Sequence, residues 1–150
     1  MYWRDEMNNY EVQPCADCSD TKQPAKSMLH ALKQYLTDQG YNNIYLDMMP
    51  DISICPDAIS LGKWDHTVGS INDGTGCHYI QIQARRRSYD DAYAACSALF
   101  NLLDSGDNEQ LINLTYDYYC IARPNRGPLL MSRSDGYTTI YCEVVLWGKN

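Results

Sequence analysis

Two hydrophobic periods alternate along this chain, and each change of period marks the border of an element. Ala25, Met28, Leu29, Leu32, Tyr35 and Leu36 recur at helical spacing and would share one face of a helix. Thr21 stands where a cap belongs, Pro24 is tolerated in a first turn, and Gly40 supplies a left-handed stop. The period then shortens to two. Ile44, Leu46 and Met48 alternate with Tyr45 and Asp47 until Pro50 breaks the strand, and a second short strand is expected over residues 58–64. Residues 65–76 lose the apolar period and include Asn72, Asp73, Gly74 and Thr75, so a long polar loop is expected there. Residues 77–86 read as the clearest strand. His78, Ile80, Ile82 and Ala84 face one way, while Cys77, Tyr79, Gln81, Gln83 and Arg85 face the other. Only the first face is apolar, which predicts helices on one side of the sheet.

Ser88 opens a second helix, with Asp91 at capping-box spacing. Ala92, Cys96, Leu99 and Leu103 form its stripe, flanked by Tyr93 and Phe100, and Gly106 ends it. Residues 111–123 are mixed, with an extended end over 116–121. Residues 124–127 read as a turn, 129–131 as a short strand, and Asp135-Gly136 as a hairpin turn. Ile140, Cys142, Val144 and Leu146 then alternate with Tyr141, Glu143, Val145 and Trp147. The order α-β-β-β-α-β-β-β predicts an α+β fold, a mainly antiparallel twisted sheet packed against two helices. Residues 1–23 read as a polar N-terminal arm and 24–150 as one domain.

Composition narrows the function. A chain of 150 residues can bury a sizeable core without disulfides or metal. Its seven cysteines are odd in number and scattered, and its N-terminus lacks a signal-peptide pattern. They are expected to be free thiols in a reducing cytoplasm, acting as small hydrophobes. No run approaches the roughly 18 apolar residues of a membrane span. The net charge of −7 disfavours a nucleic-acid binder, and an acidic surface would let DNA pass without sticking. Thirteen Tyr stand against one Phe, which suits surfaces wet in one state and buried in another.

Candidate chemistry is sparse. Cys15 and Cys18 form a lone CxxC with no second ligand pair at compatible spacing, so no metal site is expected. His30, His66 and His78 do not group, although His66 follows Asp65 in the long polar segment. No nucleophile elbow, zincin motif or phosphate loop is present. No catalytic residue and no cofactor are therefore expected. Arg85, Arg86 and Arg87 have three readings: a solvated strand end, a nucleic-acid contact, or a patch against an acidic neighbouring subunit. Alternation sends Arg85 and Arg87 to one face and Arg86 to the other.

Residues 79–104 run Tyr-Ile-Gln-Ile-Gln-Ala-Arg-Arg-Arg-Ser-Tyr-Asp-Asp-Ala-Tyr and on to Leu-Leu-Asp. This segment resembles the strand-to-helix core of the tail terminator proteins of long-tailed bacteriophages, often filed as minor capsid proteins. Helix and strand order over residues 25–148 is similar too. Residues 1–20 with Cys15 and Cys18 depart from the family's usual pattern. The resemblance implies a ring, usually a hexamer, that caps the tail tube, stops its polymerisation and joins it to the head-side connector. The implied partners are other copies of the chain, the tail tube protein and the connector or stopper protein, with phage DNA passing through. The implied place is the tail–neck region of the virion, assembled in the host bacterial cytoplasm. Trp64, His66, Asp73, Tyr79, Arg85, Arg86 and Arg87 are the candidate contact residues. Two alternatives stand beside this reading, another neck or head–tail connector protein and a small CxxC metal- or ligand-binding regulator.

Overall fold

The structure, a computed structural model, describes residues 12–15, 25, 27–68 and 75–149. The side chains of residues 64–68, 75 and 149 lie outside that description. Its elements are α1 (Met28–Asp38), β1 (Ile44–Leu46), β2 (Ile59–Val68), β3 (Thr75–Arg86), α2 (Tyr89–Leu102), β4 (Ile112–Thr115), β5 (Tyr118–Ser134) and β6 (Tyr137–Lys149). The six strands form one sheet in the order β1-β2-β3-β6-β5-β4. β1 runs parallel to β2, and every other pair is antiparallel. Among the described residues the fold is α+β, a curled mixed sheet with two helices, as the hydrophobic pattern predicts.

Each helix starts at a serine. Ser27 Oγ accepts from the His30 amide at 3.1 Å, and Ser88 Oγ accepts from the Asp91 amide at 3.1 Å. The cap of α1 therefore lies well after Thr21 and Pro24, which fall outside the described residues. Gly40 follows α1 at φ +100°. α2 carries Asp90 and Asp91 in its first turn, where carboxylates complement the helix dipole.

The cross-strand register explains the core. Ile59, Ala84 and Ile140 are neighbours on one face, as are Leu61, Ile82 and Cys142. Ile80 and Val144 continue that face, and all of these side chains are fully buried. They join Leu32 and Leu36 of α1 and Ala92, Cys96 and Leu99 of α2 in one cluster. α2 packs on β3, β5 and β6, whereas α1 packs on β1, β2 and β4. Because β1 and β4 are the two sheet edges, α1 reaches both only because the sheet curls around it.

Besides the end of α2, which falls at Leu102 and not at Gly106, three expectations differ. Residues 65–68 and 75–76 are strand: β2 and β3 form a long hairpin paired from Ile59↔Ala84 to Val68↔Gly76, with residues 69–74 outside the described set. A bulge between Lys63 and Asp65 makes Trp64 the extra residue. Residues 124–131, expected as a turn and a separate strand, belong to one 17-residue strand. That strand absorbs Pro124 and Pro128 through register shifts beside Arg126 and Leu130. β4 covers only the start of β5, so both prolines lie on an open edge, where a missing N–H breaks no ladder. Thirdly, residues 12–15 of the arm are held against the domain. The Cys15 amide donates to Asn43 Oδ1 at 2.8 Å, and Asn43 Nδ2 donates to the Gln13 carbonyl at 2.9 Å.

Candidate assembly surfaces

The three arginines at the end of β3 part company. Arg85 is buried and donates to three backbone carbonyls: Nε to Pro56 at 2.9 Å, and Nη2 to Pro50 and Cys55 at 2.7 Å each. It clamps the loop between β1 and β2. Burial lowers its pKa from the ordinary guanidinium value, and Asp51 opposes that shift. Arg86 is also buried and donates to the Arg85 carbonyl at 2.8 Å. Arg87 alone is exposed. Its guanidinium lies 5.3 Å from the Tyr137 ring centroid and donates to the Tyr137 hydroxyl at 3.3 Å. Two of the three candidates thus spend their hydrogen-bonding capacity inside the chain.

Tyr79 lies half-buried on the sheet face opposite the helices, beside Val145 of β6. Trp64 and His66 stand on β2 near the distal end of its hairpin, and their side chains lie outside the described set, as does all of Asp73.

The arm and the clamped loop are joined covalently. Cys15 forms a disulfide with Cys55, their Cα atoms 6.0 Å apart. This corrects the expectation that all the cysteines are free thiols. It also assigns the first cysteine of the CxxC to a structural bond, while Cys18 lies outside the described residues. Cys77, Cys96, Cys120 and Cys142 are free and buried. Desolvation pushes the Cys120 thiol up to about 12. The Cys142 thiol is raised still further, first by its hydrogen bond with Cys96 and then by burial. Among the described residues, no three His, Cys, Asp or Glu side chains could share a metal ion. No helix among them is long and apolar enough to cross a membrane.

Two clefts flank Arg85 and Arg86. One, of about 290 Å³, lies between the β1–β2 loop and the β5–β6 hairpin and is lined by Asp51, Arg85, Ser132 and Tyr137. The other, of about 420 Å³, is lined by Gln13, Pro14, Tyr41 and Arg86.

Exposed apolar side chains gather at the two ends of the long strand β5. Where β5 meets β6, Leu129, Leu130 and Met131 are exposed. Tyr89 and Tyr93 at the start of α2 are exposed too, and they stack with ring centroids 5.9 Å apart. Arg133 lies over the Tyr89 ring at 5.7 Å. At the far end, Leu111 is 61%, Tyr116 99% and Tyr119 51% exposed. Trp147 lies half-exposed on the sheet face that no helix covers among the described residues. Tyrosine richness in the sequence is the one signal that could have pointed to these surfaces; their grouping depends on the antiparallel return of β6. No protein-family model matches the chain, and no curated protein matches its sequence.

Proposed function

We propose that the chain is a structural subunit of a long-tailed phage particle, a tail terminator whose copies form a ring capping the tail tube and joining it to the head-side connector. The observation that carries this reading is the placement of large exposed apolar and aromatic side chains at both ends of β5. Clusters of that kind mark protein contacts more often than they mark idle surface. Two unlike clusters on one chain suit a heterologous contact, in which one patch meets a different patch on the next copy, and such contacts close into rings. The segment carrying the family resemblance supports the same reading. Residues 79–104 fold as one unit, the central strand β3 leading through the Ser88 cap into α2.

The test is to remove this chain from the particles that contain it and image them by negative-stain electron microscopy. Tails of uncontrolled length, or tails lacking heads, are the expected result. Particles with normal tails joined to heads would remove the proposal.

A further inference from the structure

The ring reading leaves open which surfaces meet, and the inference drawn here rests on that reading. We infer that the Arg87–Arg133–Tyr89 patch of one copy docks on the acidic tip around Asp107 and Asp117 of the next.

The first patch is built around two arginines without carboxylate partners. Arg87 and Arg133 lie over the rings of Tyr137 and Tyr89, and neither takes a salt bridge among the described residues. Stacking holds each guanidinium in place while leaving most of its N–H donors facing solvent. Tyr and Arg are also the side chains that dominate the energetics of protein contacts. Asp90, Asp91 and Asp135 lie close by in sequence. The first two occupy the first turn of α2, which offsets part of their charge, and Asp135 occupies the hairpin turn at φ 54°.

The second patch has the opposite character. Asp104, Asp107, Glu109 and Asp117 are all exposed at the C-terminal end of α2 and in the β4–β5 turn. Arg123 pairs with Glu109 at 2.7 Å. Asp104 caps its own turn by accepting from the Gly106 amide. Among the described residues neither Asp107 nor Asp117 takes a salt bridge, and Tyr116, next to Asp117 in the β4–β5 turn, and Leu111, in the segment before β4, are exposed. The tip is therefore acidic and apolar together, the complement of an arginine–tyrosine surface.

The two patches lie at opposite ends of both α2 and β5, at least about 20 Å apart along the helix. One chain cannot bring them together, whereas two chains placed head to tail can. The contact is heterologous and repeats, so it builds a closed ring or an open filament. Charged contacts of this kind also set register and weaken as salt screens them.

Sedimentation velocity on the full chain and on two charge reversals decides the matter. One variant carries R87E with R133E, the other D107K with D117K. All four positions are exposed, so circular dichroism and melting temperature should match the wild type in each. Each variant alone should lose the wild-type assembly, with the dissociation constant raised about tenfold or more. A chain carrying all four changes should regain it. Wild-type assembly that survives both reversals, or that the fourfold variant fails to regain, overturns the inference and leaves the ring intact. A wild type that stays monomeric at every concentration removes the ring reading as well. Retention of a duplex DNA oligonucleotide by the wild type, lost in R87E/R133E, reassigns the patch to a nucleic acid.

Discussion

Arg85 shows how a single side chain can be charged, buried and structural at once. It replaces its lost hydration with the carbonyls of Pro50, Cys55 and Pro56. Lysine cannot reproduce that fork, because its donors radiate from one nitrogen. Leaving a buried acceptor unsatisfied costs about 1–3 kcal/mol. Arg85→Lys should therefore lower the unfolding free energy by at least about 2 kcal/mol in urea, and Arg87→Lys should leave it nearly unchanged. Cys15 makes a second residue-scale case. Its bond to Cys55 closes a separation of 40 residues, which the chain-entropy account values at about 3–4 kcal/mol. Cys15→Ser or added reductant should lower the melting temperature, measured by calorimetry; an unchanged melting point would mean the bond adds no stability. The four buried thiols make a third. Cys120 titrates near 9.0 when unfolded and is pushed up to about 12 when folded. The protonated thiol is the form the fold favours, so its contribution is whole below pH 9 and declines as pH rises towards 12, by up to about 1.4 kcal/mol per unit. Iodoacetamide at pH 8 followed by peptide mapping should find Cys77, Cys96, Cys120 and Cys142 unmodified in the native protein and alkylated in urea.

At the scale of elements, α2 is the best-specified part of the chain. Removing a serine cap costs about 0.5–2 kcal/mol, and truncating a buried leucine to alanine costs about 2–5 kcal/mol. Urea titrations should accordingly rank Leu99→Ala as more damaging than Ser88→Ala, and Asp107→Ala as nearly neutral. This helix was legible in the sequence because cap and stripe agree locally, although it ends at Leu102, short of the expected Gly106. The strands β3 and β6 were legible for the same reason, since one face of each is uniformly apolar. The Asp135-Gly136 turn was legible because both residues must adopt positive φ, at 54° and 79°. The β2–β3 hairpin was hidden because the bulge beside Trp64 shifts the alternation midway. The length of β5 was hidden because its prolines sit on an edge that tertiary pairing alone defines. The Cys15–Cys55 bond was hidden too: Asn43 brings the arm to the β1–β2 loop through hydrogen bonds to Gln13, Cys15 and Asp57, which sequence spacing does not encode. Of the candidate contact residues, Arg85 was drawn inward by that same loop and its carbonyls, and Arg86 is buried with a hydrogen bond to the Arg85 carbonyl.

The described residues form a curled sheet closed on one side by two helices, with exposed apolar and aromatic side chains at the ends of β5. Its net charge of −7 would repel a passing polyanion from any channel that such subunits enclose. The two patches lie at opposite ends of α2, so the proposed contact between them can form only between chains. Native mass spectrometry of the purified chain tests this most directly. The predicted result is one dominant closed species larger than a dimer, its mass a whole multiple of 17.2 kDa. A spectrum holding only the 17.2 kDa monomer across the accessible concentration range would contradict it.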